Sequence, residues 1–298
     1  MSADGVLVVD KPGKATSHDI VAQARRVFGT REVGHAGTLD PMATGVLLLL
    51  FGEATKLSGF LTRDRKRYRA TVSFGRATDT LDADGQTTEE AVVTREQLSE
   101  SAIDAALATE RARRLQVPPA VSAIKVAGRR SYALARAGNA PELAEREVQV
   151  EQLLLLSCSE HELIVEVEAS KGYYVRSLAR DLGASLGLPA HLSALRRLAS
   201  GRFELDDAAP WPLDPTWPLL VTAEAARRAL PSAILNQNGE RRARLGQTVE
   251  LADFIEPAPA PMLETVAWFA SSGQLIALGH ERSSGEFRVV RGFRQPGT

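Results

Sequence analysis

Apolar and polar positions along this chain alternate with a period of two in some stretches, recur every three to four residues in others, and run together unbroken in a few. The unbroken stretches are Gly5–Asp10 and Val46–Phe51, the second bounded by Gly45 and Gly52. Both are far too short to span a bilayer and suit segments buried on all sides: the first a strand, the second a strand or a helix. Period two marks half-buried strands at Tyr68–Phe74 and Leu163–Ala169, and Val148–Leu156 also reads as a strand. Helical spacing joins Ile20, Val21, Ala24, Val27 and Phe28, after a cap at Thr16 or Ser17 and before Gly29. It also joins Val175, Leu178, Leu182 and Leu186, stopped by Gly187 and Pro189, and the stripe Leu192, Leu195 and Leu198 predicts a helix over His191–Ala199. Thr94 with Gln97 reads as a capping box for a helix through about Leu107, and Ala133–Ala137 looks helical. Beyond the proline-rich connection Trp211–Pro218, a helix from Thr222 leads to Gly246, a Pro/Ala spacer follows at Glu256–Pro261, and three short strands close the chain at Val266–Phe269, Leu275–Leu278 and Phe287–Val290.

A length of 298 residues accommodates one large core and a small second domain, and 44% hydrophobic with 24% charged residues is ordinary for a globular protein. The single cysteine, Cys158, excludes an intramolecular disulfide, and Met1–Asp4 carries neither a basic nor an apolar leader pattern. Both point to a reducing cytoplasm. The net charge of -1 conceals blocks of one sign. Arg111–Arg136 holds seven basic residues and no acid, and Arg63–Arg69 holds five against Asp64 alone. Lys171–Arg202 and Arg227–Arg244 are similarly basic, whereas acid pools in Asp79–Asp104 and Glu142–Glu168. Such blocks divide the surface and suit one side to phosphates.

Candidate chemistry centres on Gly34–Gly45 (Gly-His-Ala-Gly-Thr-Leu-Asp-Pro-Met-Ala-Thr-Gly), a tight loop presenting one carboxylate, Asp40, beside the buried run. Thr78–Gly85 invites a calcium reading, but Thr80 and Ala91 stand where that loop needs acids. The five histidines lack metal spacing, and no dinucleotide or phosphate loop motif is present, so a reaction without metal or cofactor fits. Arg176 lies in the first turn of a predicted helix, where a cation gains nothing from the helix dipole and needs a specific partner.

Read as a unit with Lys11-Pro12 and Thr16-Ser17-His18-Asp19, the segment Gly34–Leu47 resembles the catalytic motif of the TruB family of pseudouridine synthases, which isomerise the T-loop uridine at position 55 of tRNA. The resemblance runs through several separated motifs to about Arg202 and is looser in the tail. It implies an α+β pseudouridine synthase fold, with a mixed, largely antiparallel central sheet flanked by helices and loops, over residues 1–220. A small β-rich PUA-like RNA-binding domain would follow at 221–298, and an RNA-clamping insertion would occupy about 117–147. The aspartate matching Asp40 is the family's nucleophile, Arg176 its partner, and Tyr68 and Tyr174 lie against the target base. Leu195 is expected to contact the uracil through its backbone and Asp82 to organise polar contacts, and His35 and Lys11 complete the expected substrate-binding set. The expected partner is the T stem-loop of tRNA, met by a monomer without membrane, metal, guide RNA or protein helper. The alternatives are an N-glycosylase, which ordinarily needs two carboxylates and water, and a non-catalytic RNA-binding or tRNA-folding factor.

Overall fold

The computed structural model describes residues 3–122, 125–126, 129–130, 143–255, 264–283 and 285–294. The helix expected at Ala133–Ala137, most of the expected RNA clamp and the spacer at Glu256–Pro261 lie outside them.

Both unbroken apolar runs are strands. β1 (Gly5–Lys11) pairs antiparallel with β3 (Thr44–Phe51) along its whole length, and β2 (Val33–Ala36) pairs with the far half of β3. Burial on two faces explains the lack of alternation. Leu47, Leu49 and Phe51 enter one core, while Val46, Leu48 and Leu50 enter another on the opposite face. The path continues through β4 (Lys66–Phe74), β5 (Val150–Cys158), β6 (Glu162–Ala169) and β7 (Ala190–Ser200), giving the order β1-β3-β7-β4-β6-β5, with a short strand at Phe203–Glu204 paired to β7. Only β3 with β7 is parallel in this path, so the sheet is mixed and largely antiparallel.

The helix expected at His191–Ala199 is instead the strand β7, paired to β4 on one side and to β3 on the other. A bulge between Leu192 and Ala194 accounts for the misleading spacing. Leu192 sits opposite Val72 and Leu195 opposite Ala70, so the extra residue lets two leucines three apart face the same core.

α1 (Ser17–Val27) has Thr16 as its cap, in a reciprocal capping box with Asp19, and buries Ile20, Val21 and Ala24 on the sheet. α2 (Glu100–Arg111) and α3 (Val175–Leu186) cover the same face. The reciprocal bonds of Thr94 and Gln97 form but close a turn; the helix starts later, after Ser99.

Gly45 marks where β3 approaches β7 most closely. Its φ is +99°, and a Cβ there would lie 2.1 Å from the carbonyl oxygen of Arg197. Gly45→Ala is therefore expected to cost about 3 kcal/mol or more, because backbone rather than a movable side chain blocks it; urea denaturation reads the loss.

Beyond the proline-rich connection, the single helix expected from Thr222 is two, α4 (Thr222–Ala229) and α5 (Gln237–Arg244), separated by β8 (Ser232–Leu235). Pro231 follows the end of α4 and forces the chain into extended form. β8 joins β9 (Val249–Glu250), β10 (Val266–Ala270), β11 (Leu275–Ser283) and β12 (Glu286–Gly292) in a five-stranded sheet ordered β8-β10-β11-β12-β9. Phe269, Leu278 and Phe293 pack with Val6, Val8, Leu48 and Leu50, so this sheet covers the back of β1 and β3.

Candidate active site

The loop carrying Asp40 is clamped from below on both sides of that residue. The buried Ser17 hydroxyl accepts from the Leu39 amide at 2.9 Å and donates to the Leu39 carbonyl at 3.3 Å. Lys11 is fully buried and donates to the carbonyls of Pro12, Ala15 and Pro41 at 2.8, 2.7 and 3.3 Å. The upstream motif residues thus hold the backbone at the positions before and after Asp40. Lys11 does not line the cavity described below; the structure shows it supporting the loop. Burial lowers its pKa to about 8.

Arg176 enters from the first turn of α3, only 5% of its side chain exposed. Its Nη2 donates to Asp40 Oδ1 at 3.2 Å, and its Nε lies 2.8 Å from Asp40 Oδ2 as an ion pair, out of line for a hydrogen bond, across 136 residues of sequence. Nη1 donates to the Thr80 carbonyl at 3.0 Å, and Asp82 Oδ2 stands 3.7 Å from Nε. The loop presenting these acceptors holds Leu81 in the left-handed region, φ +62°, locked by the Leu81 amide on Thr78, by the Thr78 hydroxyl on the Asp82 carbonyl, and by the Leu192 amide on Leu81. Burial raises the Asp82 pKa; Thr80, donating at 2.6 Å, and Arg176 oppose it.

Asp40, Tyr68, Tyr174, Arg176 and Leu195 all line one cavity of about 700 Å³. Tyr68 continues the buried face of Ala70, Val72 and Phe74 to where the core opens, so it is both a packing residue and a wall residue. Tyr174 is fixed through its backbone: its amide donates to Gln116 Oε1 at 2.8 Å and its carbonyl accepts from Gln116 Nε2 at 3.3 Å. The adjacent Tyr173 turns inward, donating at 2.8 Å to the buried Glu110, which Arg113 also meets at 2.6 Å. One tyrosine of the doublet anchors and the other faces the cavity more openly. Arg63 and Lys171, from two of the basic blocks, and Arg146, from within an acidic stretch, add positive charge to the wall.

His35 and Asp82 do not line the cavity. The His35 ring lies edge-on to His18, with centroids 5.4 Å apart, and its buried Nδ1 has no hydrogen-bond partner among the described residues. Burial, reinforced by His18 and Arg197, lowers its pKa from 6.5 to about 4. Between those values the unfolded chain binds a proton that folded His35 refuses, so stability should fall as the pH drops through that window. His35→Phe is expected to flatten the loss, seen by comparing urea midpoints of the two proteins at pH 7 and pH 5.

Sequence reasoning missed Arg197, Lys66, Gln116 and Glu110. Arg197 and Lys66 are buried cations on the cavity wall, hidden within arginine-rich stretches that read as solvated; Gln116 and Glu110 carry no local signal at all. Among the described residues no group of three His, Cys, Asp or Glu side chains is placed to hold a metal ion. No described helix is long and apolar enough to cross a membrane.

Comparison with known proteins gives the family and the fold. Residues 25–175 match the family described as TruB family pseudouridylate synthase (N terminal domain), and residues 176–214 match the tRNA pseudouridylate synthase B C-terminal domain. A tRNA pseudouridine synthase B from Thermobifida fusca is 42% identical over 297 residues, covering 97% of this chain and 98% of the relative. One from Mycobacterium tuberculosis is 49% identical over 208 residues, covering 68% and 69%. The fold matches a chain in a structure of an H/ACA RNP bound to a substrate RNA containing 2′-deoxyuridine, with a TM-score of 0.73 at 21% identity, covering 98% of this chain and 85% of that one. The α+β architecture, the family matches and the near full-length relative agree: this chain belongs to the TruB family of pseudouridine synthases, which are isomerases.

Proposed function

We propose that this protein converts uridine to pseudouridine at position 55 in the T-loop of tRNA, with the target nucleotide turned out of the loop and Asp40 acting at its ribose. The observation that carries the reading is the Asp40–Arg176 pair on the wall of a cavity also lined by two tyrosines and several cations. Isomerisation breaks the bond from C1′ to N1, turns the uracil and rebuilds the bond to C5. A carboxylate acting there works as an anion aimed at the sugar, and the Arg176 guanidinium beside it, bonded to Oδ1 at 3.2 Å, fixes where it points. The pairing serves equally a nucleophile at C1′ and a base removing a sugar proton. The residues present supply such a carboxylate without a metal or cofactor.

Extruding a uridine costs a few kcal/mol, offset in part by aromatic stacking. Tyr68 and Tyr174 are the platforms, the Leu195 backbone borders the base, and Asp82 holds Arg176. His35, on the strand just before the loop, would fill or stabilise the space the base vacates in the RNA. Arg63, Arg146 and Lys171 take phosphates, with the segment at about 117–147 as a clamp. Residues 1–220 would form the catalytic unit and 221–298 a PUA-like RNA-binding unit, working in the cytoplasm as a monomer without guide RNA. The names of the relatives support tRNA as substrate.

Tyr68→Phe should lower turnover by about 100-fold or more while tRNA affinity changes little, because the ring still stacks and only the hydroxyl is lost. Steady-state kinetics with filter binding checks the split, and unchanged turnover would leave Tyr68 a packing residue. The function itself is tested by incubating the protein with an unmodified tRNA transcript and mapping pseudouridine by carbodiimide treatment and primer extension. A single new stop at position 55, lost when that uridine is replaced by cytidine, is expected; no stop, or stops elsewhere only, would overturn the assignment.

A further inference from the structure

Gln116 is 2% exposed and ends the short strand Leu115–Gln116, which pairs with Arg146–Glu147 so that Gln116 stands opposite Arg146. Its side-chain amide meets the main chain of Tyr174 much as one peptide group meets another in a sheet. Oε1 accepts from the Tyr174 amide at 2.8 Å and Nε2 donates to the Tyr174 carbonyl at 3.3 Å. This pairing needs an acceptor and a donor side by side, which a side-chain amide carries; a carboxylate cannot donate and a thioether does neither well. Tyr174 is the N-cap of α3 and its own side chain makes no capping bond, so the contact from Gln116 is what holds the entry to the helix at this residue. The Tyr174 carbonyl also accepts from the Leu178 amide at 3.1 Å. One residue further along, the Val117 carbonyl accepts from Ser177 Oγ at 2.9 Å and from Arg180 Nη2 at 3.0 Å.

The same stretch of chain holds the preceding tyrosine differently. Glu110, near the end of α2, takes the Tyr173 hydroxyl at 2.8 Å, so Tyr173 is gripped by its side chain and Tyr174 by its backbone, which leaves the Tyr174 ring to the cavity. A small turn of the backbone at Tyr174 is magnified at the far end of that ring, and a misplacement near 1 Å is enough to slow a reaction about 100-fold. Resting on the proposed function, we infer that Gln116 is a positioning residue for pseudouridine formation, holding the main chain of Tyr174 so that its ring stands where the extruded uracil stacks. Gln116 itself does not line the cavity. The rival explanation is that Gln116 only braces its strand pair against α3, with any effect on the site passing through Arg176 in the same helical turn.

A double-mutant cycle separates the two. Gln116→Met, Tyr174→Leu and the double variant are compared with the parent protein by single-turnover pseudouridine formation on a tRNA transcript at saturating protein, by tRNA affinity and by urea denaturation. Methionine keeps the length of the side chain and removes both bonds. If Gln116→Met does not fold, Gln116→Asn takes its place, keeping the amide but falling one carbon short of Tyr174. The expected result is a saturating rate about 10-fold lower for the Gln116 variant, affinity within about threefold, and almost no further loss when the change is added to Tyr174→Leu, where no ring remains to be placed. An equal loss in the Tyr174→Leu background, as a route through Arg176 would give, overturns the inference. So does an unchanged saturating rate in the single variant, whether or not affinity or stability falls. A parent protein that forms no pseudouridine on tRNA would instead mark failure of the proposed function, which the same assay reports separately.

Discussion

Replacing Asp40 by Asn is expected to slow pseudouridine formation by about 100- to 10,000-fold if the carboxylate serves as a base, and to erase detectable product if it is the attacking group. tRNA affinity should stay within about threefold, because Asn preserves the shape and the cationic wall is untouched. The fold should also survive. Arg176 keeps its bond to the Thr80 carbonyl and its neighbour Asp82, so it is not left as an uncompensated buried charge. Asp40 itself is a third exposed, and its loop is held by Ser17 and Lys11 through backbone groups that the substitution does not alter. Single-turnover assays with protein in excess, paired with filter binding, separate the two quantities. Parallel loss of binding and rate would remove Asp40 from the chemistry and make it an RNA contact.

The second large effect is expected at Arg176. Lysine keeps a charge but offers one point where arginine offers a planar fork, and Arg176 uses separate nitrogens for Asp40 and for Thr80. An ammonium reaching Asp40 leaves the Thr80 carbonyl without its partner, and one satisfying Thr80 lets the carboxylate swing. A displacement near 1 Å can cost about 100-fold in rate, which is the loss expected for Arg176→Lys, borne mainly by kcat and with KM little changed. Losing the buried bond to Thr80 should lower stability by about 1–3 kcal/mol, measured by urea denaturation. A variant with full activity would mean that Asp40 does not depend on this pairing.

Much of the fold was legible because local pattern and tertiary role agree. β1 and β3 lack alternation because both faces are buried, and α1 and α3 show their apolar stripes because only one face is. β7 misled because a bulge imitates helical spacing, and bulges depend on the partner strand rather than on the chain's own sequence. The division of α4 from α5 was signalled by Pro231 but masked by helix-forming residues on both sides. At the site, the residues alone left the Asp40 loop readable as an ordinary turn and marked Arg176 as a cation in want of a partner; the family resemblance singled out Asp40 and joined the two across 136 positions. Lys11 belonged to the same motif, yet only packing reveals that it holds the loop from beneath. Arg197 was hidden for a complementary reason: a charged residue in an Arg-Arg pair reads as solvated, and nothing local tells that its neighbour Arg196 turns out to pair with Asp10 while Arg197 turns in.

The most direct measurement is a crystal structure of this protein bound to a T stem-loop RNA. The expected result is nucleotide 55 outside the loop, its base between the tyrosine platforms and an Asp40 carboxylate oxygen about 3–3.5 Å from the ribose carbon or proton-bearing centre it would attack. A target uridine still stacked within the loop, or a ribose held well beyond reach of Asp40 by a fully engaged RNA, would contradict the account.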